Sequence, residues 1–280
     1  MLSSVAQSDL EFLSRLIHRQ SGQFIEPDRM RQVAFKLIPV SRRFGFKSVE
    51  TMVRELRHEP QGLVTAVVEA MTINETSFFR DEEPFVHFRN TVLPALLRAR
   101  AGRRQLRIWC AAASTGQEPY SLAMILEEER AALKDWAVQI IATDINATAL
   151  AQARQGLYCE EELARGLTAE RRLRHFSNED GGWRIAAPVR RMVDFHHFNL
   201  MGDYAWLGEL DVIICRNVLF YFDAPTKAAV LEKLTAALAP DGCLILGASE
   251  SPRGSTRALE AYGPGTFRKM PGRTAQQRVG

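Results

Sequence analysis

The chain has 280 residues, 46% of them hydrophobic and 25% charged, ample for one large core or two modest ones. Its net charge of +3 is too small to imply nucleic acid by itself. No apolar run approaches about 18 residues and the start, MLSSVAQSDLEFLSRL, lacks a continuous apolar stretch, so we expect a cytoplasmic protein with no membrane insertion.

The first ninety or so residues read as helices. In SDLEFLSRLIHRQSG, Ser8 is the expected N-cap with Glu11 three residues on, a capping-box pattern, and Gly22 suits the C-terminal stop. Leu10, Leu13, Leu16 and Ile17 share one face. EPDRMRQVAFKLIPVSRRFG opens near Pro27 and ends near Gly45, and Pro39 inside it predicts a kink or break. SVETMVRELRHE and QGLVTAVVEAMTI complete the set, and EEPFVHFRNTVLPALLRAR reads as a connecting helix.

After Gly102 the pattern changes. LRIWCAA, VQIIATD, DFHHFNL, DVIICRN and CLILGAS are apolar runs of buried-strand length. Helical patterns over 122–129, 147–154 and 226–238 separate several of them, which argues for a parallel sheet covered on both faces. Residues 167–195 interrupt this with a turn at 178–182 between strand-like pieces LRHF and WRIAAPV, the expected small β-subdomain. We place a helical N-terminal domain and linker start at 1–88, an α/β domain at 89–270 and a disordered tail at 271–280. Of the four cysteines, Cys110, Cys159, Cys215 and Cys243, none form a CxxC pair and three lie in apolar runs, so reduced core thiols are expected. No metal site is expected, since the adjacent His196 and His197 alternate faces on a strand.

The stretch LRIWCAAASTGQEPYSLAMIL joins a strand to a helix through AAASTG, where nucleotide-binding joints usually carry three glycines. Such a turn presents free backbone N–H groups, and alanine and serine still permit close approach. Pro119 fits the first helical turn. Glu118 repels a pyrophosphate and suits a cation, favouring a ligand such as S-adenosylmethionine over a dinucleotide. A turn of small residues that only lets the helix pack tightly is the alternative. Asp144 ends the next strand, placed for ribose hydroxyls or simply as an acid ahead of the helix capped by Asn146. Arg216, Asn217 and Tyr221 follow the strand DVIIC at the edge where open α/β sheets bind ligands; an exposed charge and a core aromatic are the plainer readings of Arg216 and Tyr221.

INETSFFRD, AAASTGQEPYSLA, ATDINATALAQARQGLY, FNL, CRNVLFYF and LAPDGCLILGASES occur in the order found in CheR-type chemotaxis receptor methyltransferases, and the chain resembles that family over roughly residues 70–270. The resemblance implies a doubly wound, Rossmann-like class I methyltransferase sheet with a helical N-terminal domain and a small β-subdomain. It implies methyl transfer from S-adenosylmethionine, leaving S-adenosylhomocysteine, to glutamates of methyl-accepting chemotaxis receptors. Carried onto this sequence, Asn74, Thr76, Arg80, Glu118, Asp144, Asn199, Leu200, Arg216 and Asn217 match cofactor contacts, and Arg80 and Tyr221 resemble the pair beside the reacting groups.

Arg29, Arg31, Lys36, Arg42, Arg43 and Lys47 face only Asp28 between residues 27 and 47, an ordinary solvated face or, given the family's acidic helical-bundle substrates, a docking surface. Some members of the family hold a receptor C-terminal pentapeptide on a longer loop of the β-subdomain. SNEDGG is short and acidic, so no such tether is expected here. Trp183 and Phe195 read as subdomain core. The other readings weighed are a methyltransferase of the same fold acting on RNA or a small molecule, and a non-catalytic cofactor-binding scaffold. No aromatic-rich basic groove supports nucleic acid, and a monomer is expected.

Overall fold

The computed structural model describes residues 5–270, so the tail expected at 271–280 lies outside the described residues. Two compact units emerge: the residues up to Ile73 with Tyr221–Thr226, and Asn74–Phe220 with the residues from Lys227 onward.

The first unit contains helices Gln7–Ser21, Pro27–Val33, Ile38–Arg43, Val49–Leu56 and Gln61–Met71. Leu10, Leu13, Leu16 and Ile17 turn one face of the first helix into a core shared with Met52, Val53, Leu56, Leu63, Val67 and Met71. The helix does not begin as expected. Ala6 is the N-cap, without a side-chain cap, and Ser8 is exposed in the first turn. Val5 and Leu10 are buried in the same cluster, so an apolar staple across the helix start sets the entry where a capping box was expected. Gly22 takes the left-handed conformation at the other end, with φ 75°. The break at Pro39 is real: a 3-10 turn over Ala34–Leu37 separates the helices, and Pro39 falls in the first turn of Ile38–Arg43, where its missing N–H costs little. Ser48 caps Val49–Leu56 in a reciprocal pair with Thr51. The segment 221–226 joins this unit through the Phe24 N–H, which donates to the Tyr221 carbonyl at 2.8 Å, and through a contact of 3.2 Å between His18 Nε2 and the Asp223 carboxylate.

The second unit is built on ten strands: β1 (Gln105–Ala111), β2 (Ala137–Asp144), β3 (Leu157–Tyr158), β4 (Phe176–Glu179), β5 (Gly182–Ile185), β6 (Val193–His197), β7 (Leu210–Cys215), β8 (Leu238–Leu246), β9 (Leu259–Gly263) and β10 (Thr266–Lys269). Seven form one sheet in the order β6-β2-β1-β7-β8-β10-β9. The first five in that order run parallel, and β10 is antiparallel to both neighbours. All six residues of β7 are buried, as expected for a strand covered on both faces. This is the doubly wound α/β architecture expected from the strand and helix alternation. The β9–β10 hairpin was not anticipated, although Gly263-Pro264-Gly265 marks its turn.

Two boundaries differ from expectation. Phe78, Phe79, Phe85, Phe88 and Val92 belong to the core of the α/β unit, so the units divide at Ile73/Asn74, ahead of residue 88. The stretch read as a connecting helix is therefore part of this core. It runs as helix Glu83–His87, a wider π turn Phe88–Val92, then helix Leu93–Ala99, the extra residue accommodating Pro94. The β-subdomain is a separate sheet, order β3-β5-β4, that starts earlier than residue 167 and stops before 195. LRH of LRHF closes the helix Ala169–His175, and Phe195 lies on β6 of the main sheet, packed edge-on to Tyr120 at 5.5 Å, rather than in the subdomain core.

An ionic cluster braces the amino end of the sheet. Asp211, 2% exposed on β7, accepts from Arg100 at 2.8 Å, Arg103 at 2.7 Å and the Arg107 N–H at 2.8 Å. Removing one partner of a buried pair strands the other charge. Asp211→Ala should destabilise the protein by about 3 kcal/mol in urea unfolding, with ligand affinity of the folded protein intact; a change under 1 kcal/mol would mean that Asp241 alone satisfies Arg100.

Candidate active site

The strand order reverses at β1, with β2 and β6 on one side and β7 and β8 on the other. The crevice at the carboxyl end of β1 is thus where this architecture binds ligands. The AAASTG joint occupies it. Ala112 and Ser114 adopt left-handed backbone, φ 60° and 52°, a strain of order 1–3 kcal/mol each that the surroundings must hold. Gly116 has φ 95°, and a Cβ there would lie 2.9 Å from the Ala153 Cβ and 3.1 Å from the Tyr158 hydroxyl, so glycine is kept where geometry demands it. Gln117–Glu128 follows as a helix with Pro119 in its first turn.

Asp144 holds this turn. It is 6% exposed, and its two oxygens accept the N–H groups of Ser114 and Asn146, each at 2.8 Å. The Asp144 carbonyl accepts from Phe198 at 2.9 Å, which draws the 198–200 loop, with Asn199 and Leu200, to the same edge. Burial raises the Asp144 pKa, opposed by the N–H groups of Asn146 and Ser114. Asn146 caps the next helix through the Ala149 N–H, as expected. The Ser114 hydroxyl donates to the Asn74 carbonyl at 2.9 Å, so the INETSFFRD loop reaches the joint.

A second cluster lies across the edge. The Arg216 side chain is 1% exposed and donates to Glu118 at 3.2 Å, to the Arg80 carbonyl at 2.8 Å and to Asp81 at 2.8 Å. The Arg80 guanidinium itself donates to the Glu75 carbonyl at 3.1 Å. Glu118, 12% exposed, is pushed up to about 7 by burial; Arg216 and Arg80 pull it down and Glu250 pushes it up. Arg216 is therefore not an exposed strand-end charge, because every position it spans is inside protein.

The structure thus brings Asn74, Arg80, Glu118, Asp144, Asn199, Leu200, Arg216 and Asn217 to one edge of one sheet. Thr76 lies half-buried on the same loop as Asn74 and Arg80. Tyr221 lies in the segment that packs with the helical unit. Among the basic residues, Arg29, Arg31, Arg42, Arg43 and Lys47 are exposed and Lys36 is half-buried. His196 packs edge-on to Trp206, and His197 sits 2.9 Å from the Ile145 carbonyl. Cys110, Cys215 and Cys243 are buried and Cys159 exposed, all free thiols. Two residues escaped the sequence reading. Asp81 follows Arg80 directly, and Glu250 accepts four backbone N–H groups. Residue type alone does not mark an acid in a loop, such as Asp81 or Glu250, as a partner for distant groups.

The donor set fits S-adenosylmethionine. A carboxylate has about four lone-pair sites, so Asp144 retains acceptors for ribose hydroxyls beside its two backbone bonds. Glu118 accepts one long bond from Arg216, leaving acceptors for an ammonium in a buried place, and the Arg216 Nε–H is buried without a partner. Glu118 titrates above its ordinary 4.5, at about 7, so the folded protein holds its proton between those values. Its contribution to the stability of the unliganded protein is present below about 4.5 and lost as pH rises through about 7. Binding of a cation runs the other way, since it needs the carboxylate. Affinity for S-adenosylhomocysteine, whose amino group stays charged, should be about tenfold weaker at pH 6 than at pH 8, and Glu118→Gln should abolish that slope. Calorimetry with equal slopes in both proteins would remove Glu118 from the ligand.

The description "CheR methyltransferase, SAM binding domain" matches residues 74–264, starting where the α/β unit starts. Chemotaxis protein methyltransferase Cher2 of Pseudomonas putida is 39% identical over 256 residues, 90% of this chain and 93% of that protein. Chemotaxis protein methyltransferase 1 of Pseudomonas aeruginosa is 39% identical over 252 residues, 89% of this chain and 92% of that one. Chemotaxis protein methyltransferase 1 of Vibrio cholerae is 38% identical over 278 residues, 96% of this chain and 100% of that one. Matched nearly end to end, and with a fitting donor set at the switch point of its sheet, the chain belongs to the CheR methyltransferase family and is an S-adenosylmethionine-dependent methyltransferase.

Proposed function

We propose that this enzyme methylates glutamate side chains on the cytoplasmic helical bundle of chemoreceptors, forming methyl esters for sensory adaptation, and that it works in the cytoplasm as a monomer. The observation that carries this reading is the gathering of Asn74, Arg80, Glu118, Asp144 and Arg216 at one strand edge in a chain whose relatives are named chemotaxis protein methyltransferases.

When bound, S-adenosylmethionine supplies a methyl group already activated on a sulfonium. A glutamate with a pKa of about 4.3 is ionised at pH 7, so the protein needs no strong base to create the nucleophile. Its task is alignment, and positioning of this kind supplies on the order of 7–11 kcal/mol. Asp144 and Glu118 anchor the cofactor's polar ends, with Asn74, Thr76, Asn199, Leu200, Arg216 and Asn217 completing its enclosure. Arg80 orients the acceptor carboxylate, and Tyr221 provides a second polar contact to the reacting groups. Arg80 serves this role as a half-buried side chain tethered through Glu75, which limits how tightly it can quench the acceptor's charge.

The exposed Arg29, Arg31, Arg42, Arg43 and Lys47, with the half-buried Lys36, supply an encounter surface for an acidic bundle. A pentapeptide tether has little support. The β4–β5 hairpin turns tightly between Glu179 and Gly182, and Glu179 already pairs with Arg184 at 2.5 Å.

Methyl-labelled cofactor offered with receptor cytoplasmic fragments, RNA and small acids tests the assignment. Base-labile label on receptor glutamates is expected; label on RNA or a small acid alone would move the enzyme to another substrate class. Arg80→Ala and Tyr221→Phe should lower turnover more than cofactor affinity, and full activity in both would reject their roles. Glutamate at positions 29, 42 and 43 together should slow receptor methylation chiefly at low salt and leave cofactor binding unchanged; equal rates across a salt series would return these residues to ordinary surface.

A further inference from the structure

We infer that Glu250 is a positioning residue of the methyl-transfer site, fixing the backbone that carries Arg216 and Asn217. It is 5% exposed and lies just beyond β8. One carboxylate oxygen accepts from the Asn217 N–H at 2.8 Å and the Gly247 N–H at 2.8 Å. The other accepts from Val218 at 2.9 Å and Leu219 at 2.7 Å. Two donors on each oxygen fill the lone pairs of a carboxylate. Glu250 is thus unsuited to take a proton in the reaction, and its work is mechanical.

The geometry shows what it secures. The last parallel pairing between β7 and β8 joins Cys215 to Leu246. Beyond it the ladder stops, and the Glu250 carboxylate continues the connection by gathering donors from both strand ends. Three consecutive N–H groups can aim at one anion only if the chain curls around it. It does so: Asn217 has left-handed backbone, φ 59°, and a 3-10 turn begins at Leu219. Asparagine adopts this conformation more readily than most other side-chain-bearing residues, so the residue type suits the curl. Gly247 completes the fit, because a Cβ at that position would lie 2.8 Å from the Glu250 Oε2 and 3.0 Å from the Asn217 nitrogen.

Arg216 sits immediately before this curl. The direction in which it leaves β7 sets whether its guanidinium meets Glu118, Asp81 and the Arg80 carbonyl together. Glu250 also acts on Glu118 through charge, raising its pKa, while Arg216 and Arg80 lower it. Burial raises the thiols of Cys110 on β1 and Cys215 on β7; Glu118 adds to the first against Arg216, and Glu250 and then Glu118 add to the second. Those groups, from β1, β7, the 74–81 loop and the β8 exit, are the titratable and charged neighbours that bear on Glu118.

The inference rests on the cofactor assignment above, and the experiment separates the two. Wild-type protein is titrated with S-adenosylhomocysteine across pH 6–8 at a temperature where near-UV circular dichroism shows every variant folded. No binding by the wild type would sink the cofactor assignment itself. Glu250→Gln, which turns an amide N–H₂ toward backbone donors, should bind at least tenfold more weakly and move the pH midpoint of binding to lower pH. Glu250→Asp should keep the midpoint and recover part of the affinity. Gly247→Ala displaces the carboxylate without removing its charge, so it should lose affinity at an unchanged midpoint. A lower melting temperature with wild-type affinity, turnover and midpoint in both Glu250→Gln and Gly247→Ala would make Glu250 merely structural and overturn the proposal.

Discussion

A carboxylate buried at the end of a strand must find donors, and at Asp144 they come from the two turns that build the site. Removing an ion from water costs several kcal/mol after relaxation. Each hydrogen bond to a charged group returns roughly 1.5–3 kcal/mol. Asp144 meets that demand with the N–H groups of Ser114 and Asn146, and so binds the exit of β1 to the exit of β2. Ser114, one of the joint's two strained non-glycine residues, is held by this carboxylate through its N–H and by the Asn74 carbonyl through its hydroxyl.

The same device recurs along the edge. Glu250 ties the exits of β7 and β8 through four N–H groups, and Arg216, between them and the joint, gathers Glu118, Asp81 and the Arg80 carbonyl. Glu118 is the odd member: burial pushes its pKa up to about 7, and the single long bond from Arg216 offsets that only in part. An under-satisfied buried acid is an unstable arrangement by itself and a good one for receiving a cation. Under the proposed cofactor contact, stability is given up at Glu118, while Asp144 and Glu250 tie down the backbone around it.

The sheet was legible because buried parallel strands are written as short apolar runs, and β1, β2, β7 and β8 each carry one. The joint was legible too, since small residues between strand and helix are a local signal. What local signals miss is partnership. Ser8 has the residue type of a cap, but the helix starts after Ala6, with Val5 and Leu10 both buried in one cluster. For Arg216 the ligand-edge reading and a plain exposed charge both stay open in the sequence, because its three partners lie far away in the chain. Asp144 was read for its ligand and not for the Ser114 and Asn146 N–H groups it already holds. Phe195 falls both in the strand pattern DFHHFNL and at the end of the 167–195 insertion, and its pairing with β2 puts it in the main sheet. The INETSFFRD loop carried no physical signal of its own and gained its place only through resemblance to known methyltransferases; the geometry then put Asn74 against Ser114.

The central claim is that a carboxylate at the end of β2 both assembles the cofactor site and contacts the cofactor. Titration calorimetry of S-adenosylhomocysteine into the wild type and Asp144→Asn, each verified as folded, tests it most directly. The variant keeps the size of the side chain but turns one acceptor into a donor facing a backbone N–H. The account predicts binding at least tenfold weaker than wild type, about 1.4 kcal/mol or more. Equal affinity in the two proteins would contradict it.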